Sequence, residues 1–390
     1  MNRAQRMSGV SVAIVSALVC AVPCFGQTPP SRTDSAGISI VLNQDQDVEL
    51  GWRFAERFRL GGEEEGPEAF YRVWVGLVAT AADGTITVLD GDNYRVVQFS
   101  SDGEHLRSFG GEGEGPGEFS FPIQVVVDQS GLVAVHDVRK RALVPFDLDG
   151  QPLPEVTVAG IGLMRHIAID GDSLFYEVRG RPRADGTRLL DVNLAVGADT
   201  SVVASSVEPP STSQMFQDCG VSISLAPVLS NALSWRYSGR RLAFYTGPSY
   251  TVEILAPESR TSLRRGIPVR RATEALARRS LGEGMKLGVG ASRTCLIPAA
   301  DLIEQAGIAE TVPSISDLAL APDGTLWVKR WTFPDEPQLI DIFDSEGVYV
   351  GTLVGPKPFP LAFLPNGDVL AAETDDVGLQ RLVVYSVSRD

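Results

Sequence analysis

Basic residues are scarce in this chain of 390 residues. It has 34 Lys and Arg against 49 Asp and Glu, a formal charge of −15. This balance argues against a general nucleic-acid-binding protein, which needs a basic surface to displace the counterions of phosphate. Hydrophobic residues make up 44% of the chain. That is enough for a large packed core, and it excludes a wholly disordered chain.

Several motifs that carry chemistry are missing as well. The sequence has only three histidines and no His-x-x-x-His, Cys-x-x-Cys or Gly-x-Ser-x-Gly motif. It also has no phosphate loop and no heme-attachment motif. A thiolate zinc site and a serine-hydrolase elbow are therefore not expected.

Long apolar runs are absent except at the N-terminus, where residues 1–26 have the pattern of a secretory signal. Two arginines precede the uncharged run Val10–Val22, which is too short to span a bilayer comfortably. We therefore expect a secreted or periplasmic protein whose mature part is 27–390. A membrane anchor is one alternative, and lipidation at Cys20 or Cys24 is another.

Cysteine is rare, and only Cys219 and Cys295 remain after cleavage. An even pair in an oxidising compartment predicts a disulfide. Two buried thiols are the alternative.

Internal repeats are the strongest feature of the chain. The Gly/Glu-rich segment 59–70 recurs at 108–119, and each copy ends in phenylalanine. A turn dipeptide followed by a short apolar strand occurs at six places: Asp83-Gly84, Ser130-Gly131, Asp170-Gly171, Ser238-Gly239, Asp323-Gly324 and Asn366-Gly367. Such dipeptides predict hairpins because glycine accepts positive φ.

A second turn follows in several of these units, at Asp102-Gly103, Asp149-Gly150 and Glu346-Gly347. Two hairpins make four antiparallel strands per unit. The sequence therefore predicts an all-β fold, a six-bladed β-propeller of four-stranded antiparallel blades.

Closure of this ring is expected to use the start of the chain. The last unit, about 361–387, is one strand short. Phe54–Leu60 aligns with the fourth-strand position of the next unit, so we expect this N-terminal strand to close the last blade, with Ile38–Leu42 nearby as an extra strand. Closure of this kind hides exposed strand edges.

Two inserts are predicted within the single propeller domain 27–390, at about 205–230 and 262–312. The second has helix-like stretches at 273–279 and 298–306, each followed by glycine. Each mature cysteine lies in one insert, so a disulfide would tie the two inserts together.

Residues 83–119 resemble an NHL-type blade. They carry Asp-Gly, a strand ending in Asp90, Asn93-x-Arg95-Val96 and the loop that ends in Phe119. The mature chain resembles bacterial secreted six-bladed propellers related to NHL and TolB-like propellers. This resemblance implies that Arg95 is a structural partner between blades. It also implies a choice of functions, namely ligand or protein binding, metal-dependent lactone hydrolysis, and lyase chemistry, among which the fold does not decide.

Acidic side chains are expected together on one face of the ring, where the blade-to-blade loops meet the turns after the second strands. Asp90, Asp92 and Asp137 would lie there beside the Glu-rich loops. Carboxylates on one rim could bind Ca²⁺, with Asp90 and Asp137 as the candidate ligands. A solvated acidic rim is the alternative, and Asp90 could simply bond turn backbone.

Candidate ligand-binding cations lie in the same region. Arg95, Arg139 and Arg141, together with Asp90 and Asp92, form the predicted ligand-binding set. His136 next to Asp137 is the candidate general base, since imidazole titrates near neutrality and a carboxylate could orient it. The alternative is a strand residue that faces a neighbouring blade.

The segment from Arg260 to Arg293 has the strongest local charge, with nine basic residues against two acidic ones. It could dock on the acidic body of the chain, on an anionic lipid surface, or on an acidic partner. The function that the sequence favours is a binding module without catalysis for an unknown protein or small molecule. A lactonase-like hydrolase with metal in the central channel is the alternative, and a surface-docking module is the third possibility.

Overall fold

The computed structural model describes residues 30–389 apart from 71, 74–75, 159–165, 180–181, 186, 290–292 and 376–377. The predicted signal segment 1–26, with Cys20 and Cys24, lies outside the described residues. No helix in the described part of the chain is long and apolar enough to cross a membrane.

Three strands precede the first blade: β1 (Ser31–Ser35), β2 (Ile38–Asn43) and β3 (Arg53–Leu60). Blade 1 follows: β4 (Val78–Thr80), β5 (Ile86–Asp90), β6 (Arg95–Phe99) and β7 (His105–Gly110). Blade 2 comprises β8 (Pro122–Val127), β9 (Val133–Asp137), β10 (Ala142–Phe146) and β11 (Val156–Thr157). Blade 3 comprises β12 (Ile167–Asp170), β13 (Ser173–Arg179), β14 (Leu189–Val196) and β15 (Asp199–Val207).

The first insert adds a hairpin, β16 (Thr212–Phe216) and β17 (Val221–Leu225). Blade 4 is built from β18 (Ser234–Ser238), β19 (Arg241–Tyr245), β20 (Thr251–Ala256) and β21 (Ser259–Arg265). The second insert holds α1 (Glu274–Leu281), β22 (Gly284–Val289), β23 (Arg293–Pro298) and α2 (Ala299–Ala306). Blade 5 contains β24 (Ile315–Leu320), β25 (Leu326–Arg330), β26 (Leu339–Phe343) and β27 (Tyr349–Val354). Blade 6 contains β28 (Ala362–Phe363), β29 (Val369–Thr374) and β30 (Gln380–Ser388), with β3 as its fourth strand.

The predicted fold is confirmed. Each blade is antiparallel and pairs its strands in chain order, and all six predicted turn glycines between first and second strands have positive φ, from 54° to 90°. Hydrophobic clusters lie between successive sheets, as a ring of packed blades requires. The first strand of each blade is the innermost one, and these strands all start on the face to which the blade-to-blade loops belong. We name this face the connection face.

The repeated Gly/Glu segments have the same packing in both copies. At Gly61 a Cβ would lie 2.5 Å from the ring of Phe70, and at Gly110 it would lie 2.5 Å from the ring of Phe119. Both glycines also have positive φ, which other residues adopt at a cost. Each loop therefore folds back so that its closing phenylalanine is buried over the glycine that opens it.

The N-terminal closure is confirmed for β3 and was wrong for β2. β3 pairs with β30 from Arg53–Ser388 to Leu60–Leu382, as predicted. Ile38–Leu42, however, does not lie by blade 6, because β2 pairs in parallel with β21 of blade 4 and carries β1 on its outer side. The linker 44–52 makes this possible, since an extended segment of this length reaches about 30 Å and can cross the outside of blade 5. There the backbone of Thr352 bonds both Val48 and Leu50.

A buried charge cluster fixes this crossing segment. Asp341 and Arg265 are fully buried, and Arg265 Nη1 donates to Asp341 Oδ2 over 2.9 Å. Arg330 donates to both oxygens of Asp341 over 2.8 Å. Both arginines also bond Asp47 in the linker, and Arg265 donates to the carbonyl oxygens of residues 44–46. Burial works to raise the pKa of Asp47, but the hydrogen bonds and charges of the two arginines outweigh it and hold that pKa below its usual value.

The two inserts form one small lobe, which we name the cap lobe (residues 212–225 and 274–306). Cys219 and Cys295 form a disulfide between them. Leu225, Ile297 and Leu302 pack around it as a separate core. Both inserts interrupt blade-to-blade loops, so the cap lobe belongs to the connection face. Closing a loop of this length is worth about 4 kcal/mol in the chain-entropy model.

Breaking the charge cluster should open the closure. Asp341→Ala leaves two arginines without their shared carboxylate in a buried site, and we expect a loss of about 3–5 kcal/mol in the free energy of unfolding. Arg32→Ala is the control, because its ion pair with Glu346 is exposed and is worth less than about 1 kcal/mol. Urea unfolding of both variants measures the difference. Equal losses would contradict the anchoring role.

Candidate functional site

The predicted acidic rim is largely engaged in turn geometry. Asp90 is 4% exposed, and it accepts hydrogen bonds from Asn93 Nδ2 and Arg95 Nε, both over 2.8 Å. Asp137 is fully buried and accepts the backbone N–H groups of Ser120, Phe121 and Lys140 over 2.7–2.9 Å. These two carboxylates hold loops in place.

The other acidic candidate, Asp92, is exposed and forms an ion pair with Arg72. Asp90 and Asp137 end the second strands of different blades. Among the residues that the structure describes, no three His, Cys, Asp or Glu side chains are grouped so that they could hold a metal ion. Calcium at Asp90 and Asp137 stays a prediction.

The three predicted arginines are spread along the connection face. Arg95 joins Asp90 to the carbonyl oxygen of Gly66, 3.0 Å from Arg95 Nη2, and so ties a turn to the preceding blade-to-blade loop. Arg139 is exposed, with Nη1 3.4 Å from Ser120 Oγ. Arg141 is exposed in a positive-φ turn. None of the three lines the central cavity described below.

His136 lies between blades. It is fully buried on β9, opposite Gln124 and Leu143, on the face of blade 2 that packs toward Ile167 of blade 3. Neither ring nitrogen has a hydrogen-bond partner in the described part of the chain. Burial lowers the pKa of His136, with the charge of Asp137 partly opposing it. Burial therefore favours the neutral form of the imidazole, which has no surface on the central cavity.

The basic segment Arg260–Arg293 mostly binds the chain itself. Five of its arginines form ion pairs with carboxylates of this protein: Arg260 with Glu253, Arg265 with Asp341, Arg270 with Glu336, Arg278 with Glu274, and Arg279 with Asp335. Arg270 and Arg279 also lie over the ring of Phe333. The contacts of Arg279 dock the cap lobe on the segment after β25. A partner for the segment stays a prediction, and its exposed members include Arg264 and Arg271.

A cavity occupies the central channel of the ring, and its lining residues were not located in the sequence. It has a volume of about 610 Å³ and is lined by the innermost strands of all six blades. Most of its wall is aliphatic or aromatic, including Val78, Ile169, Ala319 and Phe363. A concave, mostly apolar space with a few polar groups is the usual form of a small-molecule site.

Polar groups of the channel converge near the start of the innermost strands. Arg236 Nη2 donates to Asp317 Oδ1 over 2.6 Å, and Arg236 Nη1 lies 3.1 Å from His166 Nε2. We name Arg236, His166 and Asp317 the channel cluster. The Arg236 side chain is 15% exposed, and Arg236 and His166 line the channel, whereas Asp317 holds the guanidinium from blade 5. Burial lowers the pKa of Arg236, with Asp317 partly opposing it; an arginine nevertheless stays cationic.

Sequence reasoning missed this cluster although a signal existed. Arg236 and Asp317 are charged residues inside short apolar strands that end at predicted turns. In a propeller the strand before the first turn is the innermost one, so a charge there points to the channel. Assigning Arg236 and Asp317 to innermost strands requires the boundaries of the third to fifth blades. The sequence repeat is too weak in this region to give those boundaries.

Comparisons with known proteins agree with the architecture. The model of the DUF5128 family, a six-bladed β-propeller, matches residues 74–202, and this similarity agrees with the fold of the structure. None of the curated proteins matches the chain.

Solved structures give a wider set of neighbours. A candidate exported protein of Bacteroides fragilis has a TM-score of 0.50 at 11% identity and covers 90% of this chain and 99% of its own. A DUF4221 member from Bacteroides vulgatus has a TM-score of 0.46 at 8% identity and covers 88% of this chain and 100% of its own. A gluconolactonase of Xanthomonas campestris has a TM-score of 0.38 at 13% identity and covers 92% of this chain and 95% of its own. The first similarity shows the fold alone, and the other two are too distant to bear on function.

His136 gives a pH-dependent prediction. Because its pKa is lowered in the folded state, the unfolded chain binds the proton first, and stability is lost as pH falls below about 6.5. His136→Leu should remove this part of the acid sensitivity and raise stability at pH 7.5 by about 1 kcal/mol, since an unpartnered buried imidazole is costly. Urea unfolding between pH 7.5 and 5 measures both effects.

The exposed histidine His105 is the control. His105→Gln should leave stability and its pH dependence nearly unchanged. A strong loss of stability in His136→Leu at pH 7.5, with the same pH dependence as wild type, would show that the ring has a bonded structural role.

Proposed function

We propose that this protein is exported and that it binds a small, largely apolar molecule in its central channel without catalysing a reaction on it. The observation that carries the proposal is the channel itself, a 610 Å³ space with apolar walls and the Arg236 guanidinium reachable at one end. The ring of blades holds these groups in place before any ligand arrives, which lowers the entropic cost of binding.

The polarity of the channel cluster suggests what the ligand presents. Arg236 lines the channel and offers N–H groups, while the Asp317 carboxylate, which also accepts from Ser234 Oγ over 3.3 Å, holds the guanidinium in place. A ligand with a carbonyl or hydroxyl group at one end and an apolar body would match both parts of the channel. The apolar body would occupy the aliphatic wall and displace water from it.

Export is supported by two findings that do not depend on one another. The N-terminal pattern is that of a secretory signal, and the cap lobe contains a disulfide. A secreted or periplasmic location follows as part of the proposal. Lipid attachment at Cys20 or Cys24 is its variant, which mass measurement of the mature chain would detect.

Ligand binding can be tested by thermal shift. Wild-type protein should be stabilised by some members of a panel of apolar carbonyl and hydroxyl compounds, by about 2.7 kcal/mol at a hundredfold excess over Kd. Ala79→Phe fills the channel wall, and Arg236→Met removes the guanidinium while keeping much of its length. Both variants should lose the shift, whereas Arg32→Ala should keep it.

Two results would contradict the proposal. A shift that survives in Ala79→Phe would place the ligand outside the channel. Turnover of a lactone or ester in the same panel, abolished by Arg236→Met, would make the protein an enzyme and not a binding module.

A further inference from the structure

We infer that the outer edge of blade 3 is a docking groove for an extended peptide segment of a partner protein, a segment with alternating apolar residues and a carboxylate side chain. The partner would add a fifth strand beside β15. This inference is independent of the channel, because it concerns the rim of the ring between blades 3 and 4.

The outer edges of the other five blades are protected in the described part of the chain. β21 is covered by β2, and the backbone of β27 is bonded by Val48 and Leu50. β11 has only two residues. β7 and β3 carry charged or titratable side chains along their length: His105 and Arg107 in β7, and Arg53, Glu56, Arg57 and Arg59 in β3. Cover, shortness and charge are the devices that keep sheet edges from pairing with other chains.

β15 has none of these three devices. It is nine residues long, and no residue after Asp199 is charged. It ends its sheet, and no described residue pairs with its outer side. Val202 and Val207 are 57% and 56% exposed. A bulge opposite Val192 and Asn193 interrupts its pairing with β14, and residues on either side of that bulge line a cavity of about 360 Å³.

The opposite wall of this cavity belongs to blade 4. Arg260 and Glu253 line it together with Val202–Ser205 of β15, so the face of blade 4 that carries Arg260 looks toward blade 3. The parallel register of β2 and β21 places Ile38, Ile40 and Leu42 on that same face, next to Arg260, Ser262 and Arg264. The residues between them in β21, such as Arg265, point to the opposite face of the sheet and contact blade 5.

Blade 4 therefore overhangs blade 3. With β2 and β1 it has six strands, whereas blade 3 has four. The overhang presents an apolar stripe, Ile38, Ile40 and Leu42, the last of which is 45% exposed. The free edge of β15 and the apolar stripe of β2 therefore both lie at the rim of the ring between blades 3 and 4. This is the arrangement used for strand addition, in which backbone bonds give affinity and alternate side chains give specificity.

Charge complementarity identifies the partner's polar residue. Arg260 is paired with Glu253 at 3.3 Å. Arg264 is exposed, its Nε donates to Ser262 Oγ over 3.1 Å, and it has no ion pair with a carboxylate of the described residues. An acidic side chain on the added segment would pair with Arg264 beside the stripe. A basic one would meet two arginines and be repelled.

The test uses the whole mature protein and a synthetic peptide of about eight residues that alternates valine with threonine and carries one aspartate. Fluorescence anisotropy measures its binding, against the same peptide with lysine in place of aspartate. We expect the aspartate peptide to bind more tightly, and Arg264→Glu to reverse this preference. Val202→Lys should weaken binding about tenfold by charging the edge.

Leu148→Lys is the matched control, because Leu148 is 63% exposed on blade 2, and it should bind as wild type does. Arg236→Met should also bind normally, which separates this groove from the channel. Equal binding of both peptides, or no effect of Val202→Lys, would overturn the inference. A dimer in sedimentation analysis that Val202→Lys dissolves would also overturn it, since a second copy would then be the occupant.

Discussion

The structure depends on how its two chain ends are joined. A ring of sheets has a seam where its first and last units meet, and here β3 fills that seam by forming seven residue pairs with β30. The same N-terminal segment pairs β2 with blade 4 and crosses blade 5 on the way. Three consecutive blades are thereby held by one stretch of chain. The central channel exists only while the six innermost strands stay in this ring.

The crossing is fixed by charges that are themselves buried. Taking Asp341 and Arg265 out of water is costly, and such a pair stabilises only when its other hydrogen bonds are also made. Here Asp341 also accepts from Tyr250, Thr352 and Arg330. Burial and the charge of Asp341 raise the pKa of Tyr250 well above its ordinary value, so its hydroxyl stays a donor. The cluster therefore holds the crossing segment specifically, because Arg265 and Arg330 together bond a consecutive set of acceptors in residues 44–47.

Sequence reasoning succeeded where local rules determine the structure. The turn glycines and the Gly61–Phe70 and Gly110–Phe119 loops follow from backbone sterics and short spacing, so the blades and their number could be predicted. The closure by β3 followed from counting strands. The pairing of β2 with β21 could not be predicted, because parallel strands far apart in sequence share no turn signal.

The functional site was harder for the same reason. The sequence predicts Asp90, Asp137 and His136 from their chemistry at positions near strand ends. In the structure the two carboxylates bond groups of nearby turns and loops, and the imidazole packs between blades. The channel cluster brings together Arg236, His166 and Asp317 from three different blades. These three residues are close only because the blades form a ring. Their proximity can be predicted from the sequence only after the innermost strand of each blade has been assigned.

Hydrogen–deuterium exchange of the N-terminal segment tests the central claim most directly. If the segment locks the ring, the amides of β3 should exchange as slowly as those of β30, because both become exposed only when the whole propeller unfolds. Exchange of β3 far ahead of β30 would show that the ring stays closed without it, and the account of the seam and of the channel it maintains would be contradicted.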